Sequence, residues 1–440
     1  MASPNKQNSD FTGLSYAEES SLKVLPNTPV WHELEPNAYR DTGGAITTIA
    51  RAPIRRSRQR LKGSPTDIEV AAGFNQDLTQ RNLTRLLQGF MFADAFEKAK
   101  TAPFNGTQIP ITSVAADGYL AASGLGVFAA GDLVIARNFT QPANNGLALV
   151  TAVTAGKVTV SKVLTANASP PVLARLEEVG HEFPVGDSAI TVGTGIASLT
   201  SSAGDFTTYG LNVGEWIYVG GDATANKFAN NGGYARIRNI SANTLDFDKT
   251  TWNPVAETGT GKSIRIFYGD FLRNATVANP ELIKTRSYNI ERRLGNDGVG
   301  EQAQYIEGSV ANQFTLNIPG QDKLNADLSF VGLNDAYRNG TLGLKAGTRN
   351  TSLGEAAYNT SQDVIRMRMN IVDPVTLNPT ALFGYITEGT ATISNGVTVD
   401  KAVGVFGGFD VSLGDFEVGG TVTAYFSTVD AVAAIRNNAD

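Results

Sequence analysis

One stretch near the middle of the chain occurs twice, and the second occurrence keeps the spacing of the first. Gly131-Asp132-Leu133-Val134-Ile135 is followed by Asn144-Asn145-Gly146 and then by residues 147–162, two alternating runs about a turn at Ala155-Gly156. Gly214-Glu215-Trp216-Ile217-Tyr218-Val219 leads in the same way to Asn230-Asn231-Gly232-Gly233 and to residues 234–249, which turn at Ala242-Asn243. From Gly146 and Gly233 onward the copies align without a gap through Val158/Leu245 and Val160/Phe247. A period-two pattern repeated in one frame specifies strands, and each copy is too short to include a long helix. Each copy therefore predicts a small, strongly bent β-barrel or sandwich of roughly four to six strands. The copies are placed at 107–180 and 181–268, linked through 179–187.

The flanking sequence carries a different unit. A cationic comb, Arg51, Arg55, Arg56, Arg58, Arg60 and Lys62, runs into a turn at Gly63-Ser64-Pro65. Ile68, Val70, Ala72 and Phe74 then alternate with Glu69, Ala71 and Gly73, as in a strand with one buried face. Asp77 and Gln80 resemble a capping box, and Leu83, Leu86, Leu87 and Phe90 form one apolar helical stripe. Val70 to Phe74 is echoed by Val422-Thr423-Ala424-Tyr425-Phe426, before a helix-like run over 427–436. Arg56, Arg58 and Arg60 alternate with Ser57 and Gln59 in an extended run over 45–61. They line either the solvated face of a strand or a surface meant for an acidic neighbour.

Composition limits the remaining options. The 440 residues suffice for several cores, and 46 glycines among abundant Thr, Val and Asn favour short strands and tight turns. A net charge of -6 argues against a dedicated nucleic-acid binder. The absence of cysteine rules out disulfides and thiolate metal sites. Residues 1–13 are polar and read as a flexible arm with no secretory apolar region, and no run approaches the ~18 apolar residues of a membrane span. Beyond the repeats, strands are predicted at 288–293, 302–310, 313–318, 323–331, 364–372, 381–387, 389–393 and 403–411, with an aperiodic functional or intersubunit loop over 333–361.

No catalytic constellation emerges. His32 and His181 stand in unrelated contexts without a nucleophile, and no metal-binding spacing occurs. Ala256-Glu257-Thr258-Gly259-Thr260-Gly261-Lys262-Ser263 fits a relaxed phosphate-loop pattern. It leads into strand-like alternation rather than a helix, so it reads as a turn. Neither a cofactor nor a metal is expected, and the chain does not read as an enzyme.

Residues 13–19, Thr28-Pro29-Val30-Trp31-His32-Glu33-Leu34, the arginine strand and 68–87 resemble the opening of major tail tube proteins of long-tailed, siphovirus-type bacteriophages. The later half is similar too, with Tyr288-Asn289-Ile290-Glu291-Arg292, residues 308–316, and Ile393-Ser394-Asn395-Gly396 leading to 420–426. The resemblance implies a β-sandwich flanked by a helix, subunits joined side by side into a barrel around a lumen, and rings stacked through a long loop. It also implies a virion protein made in the host cytoplasm, which meets tape-measure, tail-tip and tail-terminator proteins and lets DNA pass without specific binding.

The resulting fold expectation is all-β with a few short helices. It comprises two tandem tail-tube-type β-sandwiches, each with a flanking helix, plus the inserted repeats. The first tube domain begins in 14–106, and the remainder, with the second, lies in 269–440. Such chains would close as trimeric, pseudo-hexameric rings, with hexameric rings as the alternative. The comb would sit at the ring-ring interface and acidic or neutral residues would face the lumen. A competing reading is a host-surface or carbohydrate-binding β protein, with Trp216, Tyr218, Tyr234 and Trp252 as an outer stacking platform.

Overall fold

A computed structural model describes residues 12–440 except 52–53, 55, 57–61, 97, 99–108, 276–278, 297, 353, 365–366, 368, 383–384, 426–428, 430–432, 434–435 and 437–440. The chain is mostly β, with two large sheets, and it divides into two compact units. The first unit comprises Met1–Asp94, Arg273–Met367 and Gly384–Phe426. The second comprises Ala95–Leu272, Arg368–Phe383 and Ser427–Asp440.

The main strands of the first unit are β1 (Gly13–Glu18), β2 (Val30–Leu34), β3 (Pro36–Ala50), β4 (Gly63–Asp77), β5 (Ser287–Asn296), β6 (Glu301–Ile318), β7 (Asn325–Gly332), β8 (Asn334–Arg338), β9 (Thr348–Asn350), β10 (Ile386–Ser394) and β11 (Glu417–Ala424). Helix α1 (Thr84–Met91) follows β4. Strand β6 organises the sheet because its two halves have different neighbours. Residues 301–310 pair with β5, and 303–307 pair with β8 on the other side. Residues 310–317 pair with β7, and 313–318 pair with β10. The pairing with β7 shifts register between Ala311 and Gln313, where one extra residue bends the strand. Strands β9-β2-β1-β5 thus continue from the first half of β6, and β3-β4-β7 and β10-β11 flank the second half.

The two halves share a core. Leu14, Tyr16, Val70, Phe74, Ile290, Ile306, Phe314, Leu328 and Phe330 pack with Leu83, which precedes α1, and with Leu86 and Phe90 of the helix. Phe90 lies 5.2 Å from Phe330 and 5.7 Å from Phe314, ring to ring, so the apolar stripe of the helix enters the sandwich. Gly89 allows the close approach, since a Cβ there would fall 2.4 Å from the Tyr288 hydroxyl. The capping box does not form. Asp77 ends β4, the helix starts after Leu83 without a side-chain cap, and Asn82 bonds the turn between them through the Thr79 amide and the Asp77 carbonyl.

Several boundaries differ from the sequence reading. The extended run over 45–61 stops as a strand at Ala50, and the runs at 302–310 and 313–318 fuse into β6. The aperiodic 333–361 contains β8 and β9. Val422 and Ala424 of the echoed motif lie in β11, in the same sheet as β4, and the first unit has one principal core. Most of 427–436 lies outside the described residues.

In the second unit, Ser113–Ala115, Gly118–Leu120, Asp132–Arg137, Gly146–Thr154, Lys157–Val160 and Arg175–Glu182 build the first repeat. Ala189–Gly193, Ile196–Thr200, Trp216–Val219, Gly233–Ser241, Thr244–Thr250 and Arg265–Phe267 build the second. Each has its own core, around Val134, Val150 and Val158 in one and Ile217, Ile237 and Phe247 in the other. Strand Arg175–Glu182 crosses the boundary placed at 180, pairing with Asp132–Arg137 on one side and Arg265–Phe267 on the other. The duplication extends to single atoms. Asn144 donates to the Thr165 carbonyl and accepts from the Thr165 amide, both at 2.8 Å. Asn231 does the same with Val255, both at 3.0 Å.

Candidate lining face and assembly edges

In the row β3-β4-β7-β6-β10-β11 the central strands β4, β7 and β6 bury one face and present the other to solvent, while the outer strands β3 and β11 are exposed on both. On β4 the buried residues are Ile68, Val70, Ala72 and Phe74, so Asp67, Glu69, Asn75 and Asp77 point away from the core. The registers place Asn325 and Asp327 beside them, then Thr315 and Asn317, then Thr390 and Thr392, then Thr421 and Thr423. These side chains form a cross-strand ladder. Asn75 donates to Asn325 and Asp327, and Asn317 donates to the same two residues from the far side. Thr315 and Thr392 are 3.1 Å apart, Thr390 and Thr421 2.8 Å, and Thr423 donates to Glu388. Such pairs hold register on an exposed face, where apolar packing cannot.

The face carries more negative than positive charge. Asp67, Glu69, Asp77, Asp327, Glu388 and Glu417 outnumber Arg40, Lys323 and Lys401, and the cations are tied up locally. Arg40 lies 3.6 Å from Asp327, Lys323 bonds Asp77, and Lys401 bonds Asp67. The hydrogen bond from Lys401 holds the Asp67 carboxyl below its usual range, and the bond to Asp77 raises the Lys323 ammonium. The sequence reading missed this ladder. Its signal is an i, i+2 pair of Asn, Asp or Thr on strand after strand, opposite the apolar positions.

Both ends of this row of strands are open. Among the described residues, β3 pairs only with β4, and β11 only with β10. Both are largely exposed, including Ile46 and Ile49 on β3 and Val418 and Val422 on β11. Unpaired edges with apolar side chains invite another strand.

Of the cationic comb, Arg51, Arg56 and Lys62 are exposed between β3 and β4, whereas Arg55, Arg58 and Arg60 lie outside the described residues. Trp216, Tyr218 and Tyr234 share the outer face of the second repeat, with Tyr218 opposite Tyr234. Trp252 is a correction to the proposed platform. It is 7% exposed in the repeat core, its Nε1 donating to Asn231, because the Asn clamp draws this segment inward.

The remaining candidates have structural surroundings. Burial, followed by the nearby Arg85, lowers His32 to about 4, so it is neutral at physiological pH beside Tyr16. His181 is buried against Asp132 and stacked on Tyr209. Lys262 follows a turn closed by its amide on Gly259, and its ammonium faces Glu257 at 3.7 Å, with a strand rather than a helix after it. No group of three or more potential ligands among the described residues is placed to hold a metal. No described helix is long and apolar enough to cross a membrane.

The first unit is thus a helix-backed β-sheet with one polar face and, among the described residues, two open edges. A family model for phage tail tube proteins matches residues 12–440, and the chain belongs to that family. It is accordingly a non-enzymatic structural component of the tail tube, in the virion tail. No curated protein matches it.

Proposed function

We propose that the chain builds the conduit wall by edge-to-edge closure, with β11 of one subunit pairing to β3 of the next and the ladder face turned toward the passing DNA. The carrying observation is the combination of two open edges with a polar, net acidic face on the same strands. Closure into a barrel removes the free edges and makes the polymer finite in width. A wall of amides, hydroxyls and carboxylates displaces no counterions from the phosphate backbone, so DNA gains nothing by stopping.

One sandwich with one principal core in the first unit supports one tube fold per chain and rings of six. The Val70–Phe74 echo in β11 favours the second reading, two folds per chain and rings of three. Arg51, Arg56 and Lys62, between β3 and β4, meet the adjoining ring. Tape-measure, tip and terminator proteins would meet the finished tube.

Negative-stain microscopy with mass photometry tests this. Hollow rings weighing six chains of 46.5 kDa are expected, while three would establish the tandem arrangement. Val418→Glu with Val422→Glu should abolish rings and leave the melting temperature within about 2 °C, since both side chains are exposed. Rings that form normally from this variant would refute the role of the β11 edge.

A further inference from the structure

The two repeats share one scaffold but not one outer face. In the first, Leu133 lies opposite Leu149 and Ile135 opposite Leu147, while Val134 and Ala148 point into the core. The second has the same register, with Ile217 and Ala235 in the core and the outward pairs replaced by Trp216 opposite Arg236 and Tyr218 opposite Tyr234. The inward positions remain small aliphatics. In the first repeat this side is partly closed, with Leu133 fully buried, whereas its counterpart Trp216 in the second is 46% exposed.

That face has a definite chemistry. Trp216, Tyr218 and Tyr234 are 46%, 38% and 56% exposed. Tyr218 meets Tyr234 edge-on at 5.2 Å and lies 6.4 Å from Phe267. Beside the rings, the Arg236 guanidinium grips Asp248 with bonds of 2.9 and 2.6 Å, and both side chains remain partly open to solvent. The Arg236–Asp248 pair is balanced within itself, and Lys249 opposite Arg236 adds a single positive charge. The surface offers flat apolar rings next to fixed donors and acceptors, the combination that fits a sugar ring with its apolar CH face and rim of hydroxyls. Three half-exposed rings present on the order of 300 Å². A stable protein interface needs roughly 800 Å² per partner, so the patch is sized for a small or threadlike ligand.

We propose that the outer face of the second repeat, centred on Trp216, Tyr218 and Tyr234 with Arg236–Asp248 beside them, binds a neutral polysaccharide of the bacterial surface. The chain carries its own reporter. Of three tryptophans, Trp31 and Trp252 are buried at 0% and 7% exposure, leaving Trp216 to sense the ligand. Full-length protein is titrated with cellohexaose, chitohexaose, maltohexaose and heparin, following tryptophan fluorescence. Saturable quenching by at least one neutral oligosaccharide is expected, weakened about tenfold in Tyr218→Ala with Tyr234→Ala and unaltered in Leu147→Ala of the first repeat. The proposal falls if no neutral oligosaccharide binds at up to about 10 mM, if heparin alone binds, or if the tyrosine variant binds like the parent. Mass photometry on the same samples covers the remaining occupant. Self-association that depends on Trp216 would assign the face to a second copy instead.

Discussion

The two repeats of the second unit share a register and an asparagine clamp, yet one covers its outer strand pairs with leucine and isoleucine and the other with tryptophan, tyrosine and a paired arginine. The comparison separates residues that make the fold from residues that use it. Inward side chains and the clamp are duplicated because each solves a problem internal to the repeat: filling a small core, and tying the following segment to a buried asparagine. The opposite side differs in exposure as well as in sequence: Leu133 is fully buried, whereas Trp216 at the same register position is 46% exposed.

The sharpest way to break this comparison is at the clamps. Asn144→Ala and Asn231→Ala should each destabilise the parent by about 2 kcal/mol, measured by calorimetry, since each removes a pair of hydrogen bonds made by a fully buried side-chain amide. Asn231 should cost more, because it also accepts from Trp252 and donates to Glu257. A negligible cost at either position would make the clamp incidental.

Acid should distinguish the repeats next. In the second, the Arg236 bonds hold Asp248 below the usual carboxylate range. Burial works against Asp187 and Glu257, but bonds from Ser201 and Ser202 to the one, and from the Ala229 and Asn230 amides to the other, lower both. In the first repeat, exposed Asp117, paired with Lys157, is lowered in the same way. Depressed carboxylates stabilise the fold above their unfolded values near pH ~4 and lose that contribution as pH falls through the folded ones. Residue-resolved hydrogen exchange from pH 5 downward should therefore show the second repeat opening first; simultaneous opening would count against the difference. The contribution is modest, because these groups are partly solvated.

The smallest expected effect sharpens the comparison from the other side. Giving the second repeat the residues of the first, Trp216→Leu, Tyr218→Ile, Tyr234→Leu and Arg236→Leu, should change stability by no more than about 1 kcal/mol in urea titration. A larger loss would mean that the aromatic face supports the fold after all.

The same distinction explains what could be read from the chain alone. Duplicated spacing about Gly146 and Gly233 and the alternation at Ile68 to Phe74 are local patterns, and both correspond to elements of the structure. The helix was legible from Leu83, Leu86 and Phe90, but its start was not, because Asn82 rather than Asp77 organises the turn. Trp252 looked like an exposed aromatic because its burial depends on Asn231, which precedes it by a whole hairpin. The ladder face was overlooked for a related reason. Asn75, Asn317 and Asp327 are ordinary polar residues until the sheet sets them side by side.

Strand β4 bonds to β7 through residues 252 positions apart, and β1 pairs with β5 across a similar span. At ~5–20 residues per second of synthesis, β4 waits about 10–50 s for its partner, while the strand pairings of the two repeats all fall within residues 113–267. The repeats can therefore complete their sheet before the strands of the first unit have all been made. Strand β11 is made later than any other strand of the first unit's sheet, so the β11-to-β3 closure proposed above needs a partner strand that exists only once the rest has been synthesised.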